Sequence, residues 1–131
     1  MIDDSELVAL AWEARERAAA PYSGYKVGAA LLTVAGKVYR GCNVESSSYG
    51  LSCCAERVAL FKAISEGESK FSKMAVVAKG SRTPVPCGAC RQLLTDYAPD
   101  LTILLSGNSN EMERVQLAAL LPRPFTGEFL R

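Results

Sequence analysis

Apolar and polar positions alternate along the chain with two distinct periods. From Asp3 to Ala20, Leu7, Ala11, Ala14 and Ala18 recur at helical spacing behind an Asp3/Glu6 pair suited to capping a first turn. Pro21 closes that run, which predicts an amphipathic helix. After the turn-rich Tyr22-Ser23-Gly24, two strand-length runs, Lys26 to Val34 and Lys37 to Val44, meet at Ala35-Gly36 and predict a hairpin, with Gly28 suited to close packing. A polar loop, Glu45 to Ser52, leads into Cys53 to Ile64, whose apolar positions suit a largely buried helix stopped near Gly67. Met74 to Ala78 predicts a short buried strand, and Gly80 to Pro86 a loop rich in Gly, Ser and Pro. A helix follows from about Gly88 to Tyr97, ahead of Pro99. Leu101 to Leu105 predicts a further strand, Gly107 to Asn110 a turn, Met112 to Val115 a fifth strand, and Gln116 to Leu121 a last helical turn or two before Pro122.

This order predicts an α/β protein, a three-layer α/β/α sandwich with a mixed, about five-stranded sheet and right-handed crossovers after the hairpin. Both cysteine-bearing segments then lie where a loop enters a helix N-terminus, the usual place for a ligand in such folds. With 131 residues, 49% hydrophobic and 22% charged, the chain fits one domain, 1–131, able to bury a core. Fifteen basic against fourteen acidic residues leave a net charge of +1, too little for a dedicated nucleic-acid binder. A small-molecule partner is the better expectation. No apolar run reaches membrane-spanning length, and Met1-Ile2-Asp3-Asp4 is acidic where a signal peptide is positive, so the expected location is cytoplasmic.

Five cysteines and no histidine remove every mechanism that needs an imidazole. In a reducing compartment an odd number of cysteines reads as thiols or metal ligands. Cys87-Gly88-Ala89-Cys90 sets two thiols one helical turn apart, able to face one ion, although a redox dithiol, half of a structural zinc site, or two core cysteines share that spacing. A structural ribbon would need a second such pair, and the chain has none. It has Cys54-Ala55-Glu56 instead. One Cys plus Cys-x-x-Cys supplies three ligands, and three ligands leave a tetrahedral zinc with an open position, the arrangement of a catalytic site. Glu56 stands two residues from Cys54, where it can lean over that position. Cys42 and Cys53 read as buried small hydrophobes.

Cys54-Ala55-Glu56-Arg57 with Pro86-Cys87-Gly88-Ala89-Cys90-Arg91-Gln92 resembles the paired signature of the zinc-dependent cytidine deaminases, in their three-cysteine form. The likeness runs from Pro21-Tyr22-Ser23 through Val27-Gly28-Ala29-Ala30 to Leu120-Leu121-Pro122. It implies that Cys54, Cys87 and Cys90 bind one Zn²⁺ and that Glu56 shuttles protons to the pyrimidine N3 and the departing amino group of cytidine or 2′-deoxycytidine. Arg57 resembles the family arginine that hydrogen-bonds ligand sulfurs, offsetting thiolate charge together with the two helix N-termini. Asn43 and Glu45 resemble the sugar-binding Asn-x-Glu, two residues apart on one face of a strand, and the Ala55 backbone is implied at the pyrimidine edge. Glu45-Ser46-Ser47-Ser48-Tyr49 departs from the family's usual Glu-Asn-Ala-Ser-Tyr.

Tyr25 stands where the family commonly has a Phe lining the base pocket. Phe125 resembles the aromatic residue that a neighbouring subunit contributes, which implies a homotetramer with shared sites. The implied role is pyrimidine salvage, without nucleic-acid or membrane partners. A blasticidin-type or free-base deaminase, a structural-zinc binding module and a Cys87/Cys90 redox protein are the competing readings. Only the deaminase readings give Glu56 work to do, and Asn43 with Glu45 and Tyr49 favours a nucleoside.

Overall fold

In a computed structural model, residues 1–80, 83–108 and 111–130 are described. Helix α1 (Asp4–Arg15) is followed by the hairpin β1 (Gly28–Thr33) and β2 (Val38–Cys42), then α2 (Ala55–Ser65), β3 (Phe71–Val77), α3 (Gly88–Tyr97), β4 (Thr102–Ser106), β5 (Glu113–Gln116) and a single turn, α4 (Leu117–Leu120). Short 3-10 turns occupy Tyr49–Leu51 and Gly127–Leu130. The five strands form one sheet in the order β2-β1-β3-β4-β5, antiparallel except for the parallel β3/β4 pair. The mixed sheet is the one the element order predicts. Part of the loop from Gly80 to Pro86 (81–82) and of the turn from Gly107 to Asn110 (109–110) lies outside the described residues.

The continuous apolar runs of the central strands serve two faces at once. Ala29, Leu31, Met74, Val76, Ile103 and Leu105 pack under α2, α3 and α4, while Ala30, Leu32, Ala75, Val77 and Leu104 pack under α1. Burying both faces yields three layers. Two glycines let helices approach the sheet: a Cβ on Gly28 would lie 2.0 Å from the Ala11 carbonyl oxygen, and one on Gly41 would lie 2.4 Å from that of Ala55. At the hairpin, Gly36 takes a φ of +97°, and at the end of α2 Gly67 takes +93° while its N–H bonds the Ile64 carbonyl at 2.9 Å.

The first helix is capped as expected, Asp3 accepting from the Glu6 N–H at 2.9 Å. It stops at Arg15 rather than Ala20, because residue 19 is taken into bridge pairing: the Ala19 N–H bonds the Asn43 carbonyl and the Glu45 N–H bonds the Ala19 carbonyl, both at 2.9 Å. The second strand ends correspondingly at Cys42, and Val44 bridges Ala19 and Cys53 instead of extending the sheet. Cys42 and Cys53 are half-buried rather than core residues. No helix among the described residues is long and apolar enough to cross a membrane.

Candidate active site

Helices α2 and α3 begin side by side beneath the same end of the sheet, and each opens on a cysteine. Cys54 is the residue before α2 and Cys87 the residue before α3, both in extended backbone conformation, with Cys90 one turn into α3. The helix starts bring the three sulfurs together, every pair within 4.8 Å. Cys54 and Cys87 Sγ are 3.7 Å apart, and Cys87 and Cys90 Sγ 3.4 Å. The donor set suits a soft, tetrahedral cation: three thiols of one face, with both helix N-termini aimed at them.

The thiols are already unequal. Hydrogen bonding from Cys90 first, then from Arg57 and Cys87, pulls Cys54 down to about 5, in the thiolate range. Cys90 moves in the opposite direction, as the hydrogen-bonded partner of that sulfur and by its burial. Arg57 reaches back from the first turn of α2, its terminal nitrogen 3.4 Å from Cys54 Sγ and 3.4 Å from the Ser52 carbonyl. Its Nε is buried with no hydrogen-bond partner among the described residues, a donor left over beside a cluster of sulfurs. A sulfur-bound cation fits this set, since it would hold all three cysteines as thiolates and give them the acceptor strength that the guanidinium faces.

Glu56 lies on the adjoining turn with 4% of its surface exposed, and burial pushes its carboxyl up to about 7. A carboxylic acid poised near neutrality beside a metal-ligand cluster is equipped to give and take a proton at the working pH. It opens onto a cleft of about 260 Å³ whose walls include Cys54, Ala55, Cys87, Tyr25, Asn43 and Glu45. Ser23, Val27, Val76, Pro84 and Val85 complete the walls. An apolar slot with a few convergent polar groups suits a flat heterocycle carrying hydroxyls.

Asn43 and Glu45 do more than face that cleft. The Asn43 amide donates to the Tyr25 carbonyl at 2.8 Å and accepts from the Val27 N–H at 2.9 Å. Glu45 accepts from the Tyr22 and Ser23 N–H groups at 3.0 and 3.1 Å, and from the Ser23 hydroxyl at 2.5 Å. These bonds hold the Glu45 carboxyl below its usual range, the Ser23 hydroxyl leading. The pair therefore fastens the 22–27 segment as one wall of the cleft. Ser23 in turn accepts from the Tyr25 N–H at 3.0 Å; its part in the wall escapes sequence reasoning, though Pro21-Tyr22-Ser23 marks the turn. Phe125 is absent from the cleft lining. The residue is 55% exposed, and its ring stacks on that of Phe129 with centroids 5.3 Å apart.

The sequence profile described as "Cytidine and deoxycytidylate deaminase zinc-binding region" matches residues 1–105. The chain is similar to the cytidine deaminase of Halalkalibacterium halodurans, 46% identical over 128 residues that make up 97% of each protein. The cytidine deaminase of Sporosarcina psychrophila is 42% identical over 130 residues, 98% of this chain and 96% of that one. Among solved structures, cytidine deaminase from Burkholderia pseudomallei superposes with a TM-score of 0.91 at 44% identity, over 95% of this chain and 100% of that chain.

Proposed function

The chain belongs to the cytidine and deoxycytidylate deaminase family, and on that premise we propose that Cys54, Cys87 and Cys90 hold its zinc and Glu56 moves its protons. The protein is a hydrolytic enzyme of pyrimidine salvage: cytidine or 2′-deoxycytidine and water become uridine or 2′-deoxyuridine and ammonia. The observation that carries the residue assignment is the meeting of three sulfurs within 4.8 Å of one another beside a cleft that two of them line together with a buried carboxyl.

Zinc, when bound, supplies the Lewis acidity that makes water a nucleophile near neutral pH. Glu56 accepts a proton from the attacking water and delivers it to N3 of the pyrimidine as C4 becomes tetrahedral; it then takes the proton of the new C4 hydroxyl and passes it to the amino group, which leaves as ammonia while the C4 carbonyl forms. A carboxyl pushed up to about 7 is suited to both directions of transfer. Arg57 holds the Cys54 sulfur and spreads its charge. Asn43 and Glu45 receive the sugar hydroxyls, the Ala55 backbone meets the pyrimidine edge, and Tyr25 flanks the base, all from the walls of the cleft.

The active assembly is a homotetramer in which Phe125 serves a neighbouring site. Supporting this, Phe125 lies outside its own cleft, and Tyr49, Leu51, Phe129 and Leu130 leave apolar surface at 71–80% exposure. The compartment is the cytoplasm, in keeping with five cysteines that form no disulfide, three of them gathered to hold a metal ion.

Glu56→Gln and Phe125→Ala test these roles by ammonia release from cytidine. Glu56→Gln should lose about 10²–10⁴-fold or more in kcat with zinc retained. Phe125→Ala should raise KM severalfold, and with cytidine well below KM mixed assemblies of the two variants should exceed the activity of either parent, because each supplies what the other lacks. Near wild-type turnover by Glu56→Gln would remove the proton role, and mixtures no better than their parents would remove the shared site.

A further inference from the structure

The three metal-binding thiols are not equally secured by the elements that carry them. Cys90 lies within α3 and is buried, so packing places it. Cys54 is gripped by Arg57. Cys87 is exposed, precedes the helix, and makes no side-chain capping bond to it. Its approach is through buried Pro86, a residue with no N–H, whose carbonyl is the one polar backbone group it can offer.

Arg91 takes that carbonyl. Its Nε donates to the Pro86 oxygen at 2.7 Å, and its NH1 donates to the Leu120 oxygen at 3.0 Å. Leu120 ends α4, where carbonyls lack helical partners. One planar guanidinium thus satisfies two element-end carbonyls in divergent directions, which the point charge of a lysine cannot reproduce. The guanidinium is anchored at its stem too: the Arg91 N–H bonds the Cys87 carbonyl at 2.9 Å, and the Arg91 carbonyl accepts from the Thr95 hydroxyl at 2.8 Å. Gln92 extends the seam, its amide donating to the Phe125 carbonyl at 2.7 Å.

We infer that Arg91 is a positioning residue that holds Cys87 in the metal-binding geometry by clamping the Pro86 carbonyl against the end of α4. The inference rests on the zinc reading above. Loss of the clamp frees the Pro86–Cys87 peptide to rotate, so Cys87 becomes the thiol that lets go first. A residue that orients a ligand in this way commonly changes metal retention by about 10–100-fold.

The test is the rate at which zinc-loaded full-length protein yields zinc to an excess of a chromophoric chelator, with thermal midpoints recorded for the loaded and metal-free forms. Arg91→Gln should release zinc about 10–100-fold faster than wild type, Arg91→Lys should fall between them, and the midpoint should drop more in the loaded form. Release within twofold of wild type for both variants, or equal midpoint losses in the two forms, would overturn the inference and leave the zinc assignment standing. If Arg91→Gln does not fold, Arg91→Lys decides by the same rate. A wild-type chain that holds no zinc would instead sink the function proposed above, and this inference with it.

Discussion

A carboxyl's pKa reports its surroundings, and this chain sets two carboxyls in opposite ones. Asp4 accepts from Lys73 at 2.5 Å and is bridged by Arg114, and the Lys73 hydrogen bond leads in holding it below the ordinary carboxylate range. The folded pKa is lowered, so the stability it contributes is present above the unfolded value and is lost as pH falls through the folded one. Asp4→Asn should therefore cost up to about 1 kcal/mol at pH 7, with the gap to wild type closing below about pH 4; urea titrations across pH would show it, and a gap independent of pH would refute it. Glu56 is raised by burial, which outweighs the lowering pull of the neighbouring Arg57, whose own hydrogen bonds go to Cys54 and Ser52. At this scale the sequence is most legible for Cys54, Glu56, Cys87 and Cys90, whose spacing within each segment is local. It is least legible for Asn43 and Glu45, whose bonds to residues 22–27 depend on a chain reversal that no local pattern encodes.

Elements matter here through where they begin. Cys54 and Cys87 are useful because α2 and α3 start at them, and α2 can start there because Gly41 lets its first turns lie against β2. Gly41→Ala places a Cβ 2.4 Å from the Ala55 oxygen and 2.6 Å from the Ala59 nitrogen, both backbone, so the helix must yield. The expected cost is about 1–3 kcal/mol, with a fall in kcat from a displaced Cys54 and Glu56; denaturation and turnover measured together check this, and an unchanged variant would show that the helix is seated otherwise. Helix α3 is readable to the residue because Pro86 and Pro99 bracket it. The start of β3 is not, since Phe71, Ser72 and Lys73 lack an apolar run, and Lys73 earns its place by meeting Asp4 on another element.

Over the whole molecule, one sheet buried on both faces puts two crossover helices on the same side, so that their first turns share the cleft. The order of elements encodes that layering. The seam that joins α3 to the C-terminal segment is less visible, because Arg91 and Gln92 find their carbonyls 29 and 33 residues downstream. Activity should consequently depend on the folded arrangement and on one ion together. The most direct measurement is to titrate metal-free protein with zinc in the presence of cytidine, following ammonia release and loss of the 4-aminopyrimidine absorbance. Turnover rising linearly to a single zinc per chain, and abolished by chelation, is the result expected. Stoichiometric zinc uptake with cytidine and 2′-deoxycytidine both left intact would contradict it.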